Sequence, residues 1–121
     1  MPPNLAVFDL WLIADCSDLR HTGLSEQLLA ARNIKQNYLV NLDHHASNNF
    51  FADLNLVDAN ASSACELVYN FYQANHLNIS PAIARGLLTG ILSDTDHFLN
   101  AGTSGDSLAV AAELLKKASY I

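Results

Sequence analysis

Residues 37–45 read Asn37-Tyr38-Leu39-Val40-Asn41-Leu42-Asp43-His44-His45. Residues 37–43 are predicted as a buried strand that ends on a carboxylate, with two imidazoles directly after it. The same layout occurs upstream, where Val7-Phe8-Asp9-Leu10-Trp11-Leu12-Ile13-Ala14-Asp15 is a second apolar strand closing on a carboxylate. Between them, residues 22–32 place Leu24, Leu28 and Ala31 at helical spacing and predict a short helix. Strand, helix, strand is the pattern of parallel pairing, so the fold class is α/β, a mainly parallel sheet flanked by helices.

Downstream, a polar loop at 44–49 precedes a short extended piece at 52–57. Helix 63–75 is predicted to open with Ser63 and Glu66 as an S-x-x-E capping box and to turn Leu67, Phe71 and Ala74 inward. Pro81 suits the first turn of the next helix, which carries Ile83, Leu87, Leu88 and Ile91. Gly86 and Gly90 lie four apart in it and are expected to permit close packing. A last helix over 105–117 presents Leu108, Ala111, Ala112 and Leu115, with Lys116 and Lys117 in its final turn, where cations suit the dipole. With no repeat or linker, one domain over residues 1–121 is expected.

Composition narrows the chemistry. Half of the 121 residues are hydrophobic, and six Lys and Arg face twelve acidic residues for a net charge of −6. A basic face that grips a nucleic-acid backbone is excluded. An anionic substrate would therefore draw its positive charge from bound metal. Cys16 and Cys65 form no C-x-x-C pair and read as buried reduced thiols, in keeping with a cytoplasmic protein. No apolar run approaches the ~20 residues that span a bilayer, and no basic-then-apolar leader opens the chain, so no membrane contact is expected.

Three features carry chemistry: Asp15 at one strand end, Asp43-His44-His45 at the other, and Asp94 within Ser93-Asp94-Thr95-Asp96-His97 at the end of an apolar helix. Ligands of parallel α/β sheets sit beyond the carboxyl ends of the strands. Carboxylates with imidazole make a mixed oxygen and nitrogen set suited to Mn²⁺, Fe²⁺, Co²⁺ or Zn²⁺. Asp94 faces the negative end of its helix dipole, a placement a cation would favour, although Asp is also a common turn residue. Adjacent histidines can equally be a solvated loop, and Asp15 can simply cap the loop after its strand. No G-x-S-x-G elbow exists, which disfavours a serine hydrolase. His21 and His76 read as surface residues, and His97 lies near Asp94 without a clear role.

Taken in order, these motifs resemble the DHH phosphoesterase superfamily, over roughly Asp9 to Leu115. Asp15-Cys-Ser-Asp-Leu-Arg20 is similar to its second motif, Asn41-Leu-Asp-His-His-Ala-Ser-Asn48 to its third, and Gly90-Ile-Leu-Ser-Asp-Thr95 with Phe98 to its fourth. Asn55-Leu-Val-Asp58 and Ala61-Ser-Ser-Ala-Cys-Glu66 resemble the oligoribonuclease branch. The resemblance implies that Asp15, His44 and Asp94 ligate metal, with Asp43 supporting them and His45 contacting the scissile phosphate. It implies Mn²⁺, or another divalent ion such as Mg²⁺ or Co²⁺, as cofactor, and a short oligonucleotide or nucleotide phosphate as substrate.

Two departures accompany it. The family's first motif, a His followed by two aspartates, has no counterpart, and neither does its C-terminal domain. The expectation is a partial DHH phosphoesterase domain, truncated at both ends and capable of being inactive alone. An unpaired sheet edge would favour association, so homo-oligomers are open. The alternative is a non-catalytic metal- or phosphate-binding module, or an assembly module, that needs a partner chain.

Overall fold

Strand β2 (Tyr38–Asp43) runs through the middle of a three-stranded parallel sheet, between β1 (Leu10–Ala14) and β3 (Leu54–Val57). The register sets Leu12 beside Val40 and Val40 beside Leu54, so all three strands point the same way. The computed structural model describes residues 4–34 and 37–118. The chain divides into two compact units, Met1–Val57 and Asp58–Ile121. The parallel sheet and the helices make the chain α/β, as expected.

In the first unit, side chains alternate across the sheet. Trp11 and Leu39 turn to one face and pack with Leu28 and Ala31 of α1 (Ser25–Ile34). Leu39 is 1% exposed, and burying a side chain of that size contributes about 2 kcal/mol. Asp53 fastens the start of β2: its Oδ2 accepts the Leu39 N–H at 2.8 Å and its Oδ1 meets Arg32 Nη2 at 2.7 Å. Strand β1 is an edge among the described residues, and Leu10 and Leu12 on it are exposed.

The first strand is shorter than its apolar run. Leu5–Val7 forms a 3-10 turn, capped by Asn4 Oδ1 accepting the Ala6 N–H at 3.2 Å. The helix predicted from residue 22 starts later, because Leu19–Thr22 is a 3-10 turn closed by Gly23 at φ 67°, in the left-handed region. Leu24 therefore precedes α1 and is partly exposed, while Leu28 and Ala31 are buried as expected. The extended piece begins only at Leu54, since Asn55 folds back on Ala52, accepting its N–H and donating to its carbonyl.

The second unit holds α2 (Ala64–Ala74), α3 (Pro81–Asp94) and α4 (Gly105–Ala118), packed around Leu88, Ile91, Val110 and Leu114. Ser80 Oγ caps α3 by accepting the Ile83 N–H, with Pro81 in the first turn. Ser63 Oγ likewise accepts the Glu66 N–H at 3.1 Å. The return bond of the capping box is displaced, because Glu66 Oε2 accepts from Ser62 N–H and Ser62 Oγ.

Two helix faces differ from the predicted stripes. On α2 the side packed against the core is Cys65, Val68, Tyr69 and Tyr72, and Phe71 is 49% exposed. The cause is Gly90, whose missing side chain leaves the space taken by Cys65 Sγ and fixes the rotation of α2. Gly86 has open space around it and plays no such part. On α4 the buried row is Ser107, Val110, Ala111, Leu114 and Ala118, and Leu108 and Leu115 are about half exposed. Ser107 is held inward by donating Oγ–H to the Ser104 carbonyl at 2.7 Å, while Ser104 Oγ accepts its N–H at 3.0 Å. No helix among the described residues is long and apolar enough to cross a membrane.

Candidate metal and phosphate site

The parallel pairing of β1 and β2 brings their carboxyl ends side by side. The Asp15 N–H continues the ladder by donating to the Leu42 carbonyl at 2.9 Å. The chain then breaks direction, with Asp15 at φ 59°, a left-handed conformation that costs a non-glycine residue about 1–2 kcal/mol. Asp15 Oδ1 lies 3.3 Å from His44 Nε2 and 3.9 Å from His45 Nδ1. The two imidazole centroids are 4.5 Å apart and tilted by 52°.

Asp15, His44 and His45 each offer a ligand atom within 4.8 Å of the others, the one such group among the described residues. One carboxylate oxygen and two imidazole nitrogens form the borderline donor set that Mn²⁺, Fe²⁺, Co²⁺ and Zn²⁺ accept. The residues therefore fit a divalent ion. Asp15 is half exposed, so the group is open to solvent and to a ligand.

Asp43 lies behind this group and is fully buried. Its Oδ1 is 2.7 Å from His45 Nδ1, and its Oδ2 accepts from Asn48 Nδ2 at 2.6 Å. Burial opposes its ionisation. The hydrogen bonds from Asn48, His45 and the His44 backbone outweigh that and hold the carboxyl below its ordinary value. An ionised Asp43 takes the Nδ1–H of a neutral His45 and leaves Nε2 with its lone pair, able to bind a metal or to take up a proton.

The loop after Asp15 is pinned from β2 and its following turn. The Cys16 carbonyl accepts from Asn41 Nδ2 at 3.1 Å and Asn48 Nδ2 at 3.2 Å. The Ser17 carbonyl accepts the Asn49 N–H. The Arg20 guanidinium grips Asp18 and lowers its carboxyl to about 2. His21 Nδ1 lies 3.3 Å from Ser17 Oγ.

Of the residues singled out from the sequence, Asp15, Asp43, His44 and His45 come together in the first unit. Asp94 is the last residue of α3, in the second unit. Asn100 Nδ2 donates to its carbonyl, and Asp96, His97 and Phe98 follow at φ 48°, 57° and 69°. Cys16 is buried and Cys65 half-buried, and neither forms a disulfide. Asn48 carries no role in the motif reading, although it touches both arms of the group. Its visible signals are its place at the end of the stretch that resembles the third motif and the short polar run after His45, and burial of an amide is not written in either.

The DHH family, N-terminal domain, matches residues 2–91, which include the whole Asp15, Asp43, His44 and His45 group and end just before Asp94. The probable bifunctional oligoribonuclease and PAP phosphatase NrnA of Streptococcus mutans is 41% identical over 85 residues, covering 70% of this chain and 27% of that protein. The bifunctional oligoribonuclease and PAP phosphatase NrnA of Thermus thermophilus is 36% identical over 80 residues, covering 66% of this chain and 25% of its own length. The chain thus spans about a quarter of these relatives. The crystal structure of an exopolyphosphatase-related protein from Bacteroides fragilis superposes with a TM-score of 0.78 at 23% identity, over 90% of this chain and 32% of that one. A match across the two strand ends that build the site makes this chain a member of the DHH family.

Proposed function

We propose that residues 1–121 are part of the catalytic domain of a divalent-metal-dependent phosphoesterase acting on short oligoribonucleotides or nucleotide phosphates. The observation that carries this reading is the Asp15, His44 and His45 group with Asp43 behind it. Asp15 and His44 hold the metal, with Mn²⁺ the first candidate and Mg²⁺ or Co²⁺ next, and Asp94 is proposed separately, from its motif alone, as a metal ligand. A bound divalent ion supplies the positive charge that polarises a phosphoryl oxygen and lowers the pKa of water. His45, with Nδ1 held by Asp43, would serve the phosphate through Nε2: in the imidazolium form the Nε2–H would pass to the leaving oxygen, and the ring would return to the neutral form protonated on Nδ1. The net charge of −6 supports a metal rather than a basic surface as the site's source of positive charge. The two cysteines outside any disulfide support a cytoplasmic setting.

The test is hydrolysis of short RNA and adenosine bisphosphate by the purified chain, with Mn²⁺ or with chelator. Metal-dependent turnover that disappears in Asp15→Ala supports the reading. A folded, metal-loaded chain without turnover overturns catalysis by this chain alone. It then favours the second reading, a non-catalytic metal- or phosphate-binding module that needs a partner chain. That reading draws on one observation, the span of about a quarter of the relatives' length.

A further inference from the structure

Asn48 is 7% exposed, and each polar atom of its side chain has a partner. Its Nδ2 donates to Asp43 Oδ2 at 2.6 Å and to the Cys16 carbonyl at 3.2 Å, and its Oδ1 accepts the Phe50 N–H at 2.7 Å. Rotating the amide by half a turn would face oxygen to two acceptors and nitrogen to a donor, so the orientation is determined by its surroundings. The last bond closes a turn that leads into Phe50 at φ 55°.

These contacts span the site. Cys16 follows Asp15 directly, so the bond to its carbonyl holds the backbone that aims one carboxylate. Asp43 orients His45, so the bond to its Oδ2 holds the other arm. Without the amide, the donors that remain to the buried Asp43 carboxylate among the described residues include His45 and the His44 backbone. It can then rotate, and its grip on His45 Nδ1 loosens.

We infer that Asn48 is a positioning residue for this site, coupling the Asp15 loop to the Asp43–His45 pair through one buried amide. Its effect on turnover rests on the phosphoesterase reading, whereas its effect on His45 does not. Two variants separate the amide's roles. Asn48→Ala removes every contact. Asn48→Ser keeps a short oxygen able to accept the Phe50 N–H and preserve the turn, but it cannot reach Asp43.

The experiment is long-range nitrogen–proton NMR of the imidazoles in the metal-free chain, with wild type and both variants at one neutral pH. The wild type is expected to show His45 as the tautomer protonated on Nδ1. Each folded variant is expected to shift His45 towards a mixture of tautomers while His76 keeps its wild-type pattern. Turnover, where the wild type has it, is expected to fall about 10–100-fold in kcat with little change in KM. An unchanged His45 tautomer in folded Asn48→Ser overturns the inference, whatever the activity. Absence of turnover in the wild type counts against the phosphoesterase reading alone, and the NMR comparison still decides for Asn48.

Discussion

Gly90 turns its bare Cα towards the Sγ of Cys65, and a methyl group built on Gly90 would overlap that sulfur. The contact locks α2 against α3 and selects which side of α2 faces the core. Gly90→Ala is therefore expected to destabilise the chain by about 1–3 kcal/mol, measured by urea unfolding. Adding Cys65→Ala should restore part of the loss, because removing Sγ opens room for the new methyl. Two single changes whose costs simply add would contradict the contact.

Arg32 and Asp53 make a prediction about acid. The Arg32 guanidinium and the Leu39 N–H lower the Asp53 carboxyl below its ordinary value of 3.8. In the folded state Asp53 therefore binds protons more weakly than in the unfolded one. Its stabilisation is whole above the unfolded value near 3.8 and is lost as pH falls through the lower folded value. The pair is partly solvated, so Asp53→Asn should cost about 0.5–1 kcal/mol at pH 7 and progressively less in acid. An equal loss at pH 7 and below pH 3 would remove the charge from the explanation.

The turn after α3 offers a gain. Asp96, His97 and Phe98 form three consecutive left-handed residues, each an unfavourable conformation for a side-chain-bearing residue. Asp96 also adds negative charge at the helix's negative end, beside Asp94. Asp96→Gly is expected to raise stability by about 0.5–1 kcal/mol, since relief of both effects exceeds glycine's unfolded-state entropy. A fall in the thermal midpoint would show that the Asp96 side chain contributes more than its backbone costs.

What the sequence revealed followed physical rules. An apolar run that ends on a carboxylate makes a strand and the polar residues at its tip legible together, and Asp15, Asp43, His44 and His45 do lie side by side at two such strand ends. Ser80-Pro81 marked the start of α3 for the same kind of local reason. Helix rotation was not legible where both sides are apolar. In α4, Leu108 and Leu115 compete with Val110 and Leu114, and a hydrogen bond from Ser107 decides between them. In α2 the decision lies 25 residues away in sequence, at Gly90, and no periodicity in α2 contains it. Asn48 stayed silent for a related reason: its importance is a matter of which buried acceptors it faces, and only packing shows that.

The last prediction concerns the division of labour between the two histidines. His44 Nε2 is the imidazole atom nearer to Asp15 Oδ1, whereas His45 spends its Nδ1 on Asp43. If His44 is the ligand and His45 serves the phosphate, Asp15→Ala and His44→Ala should each weaken Mn²⁺ binding more than about 100-fold in titration calorimetry, a larger loss than removing a group behind a ligand. His45→Ala should leave the affinity within about threefold while abolishing turnover where the wild type shows it. Asp94→Ala should also weaken Mn²⁺ binding if Asp94 is a metal ligand. Equal losses in His44→Ala and His45→Ala would instead make both imidazoles ligands, and the proton donor would have to be sought elsewhere. Unchanged affinity in both Asp15→Ala and Asp94→Ala would remove the metal assignment altogether.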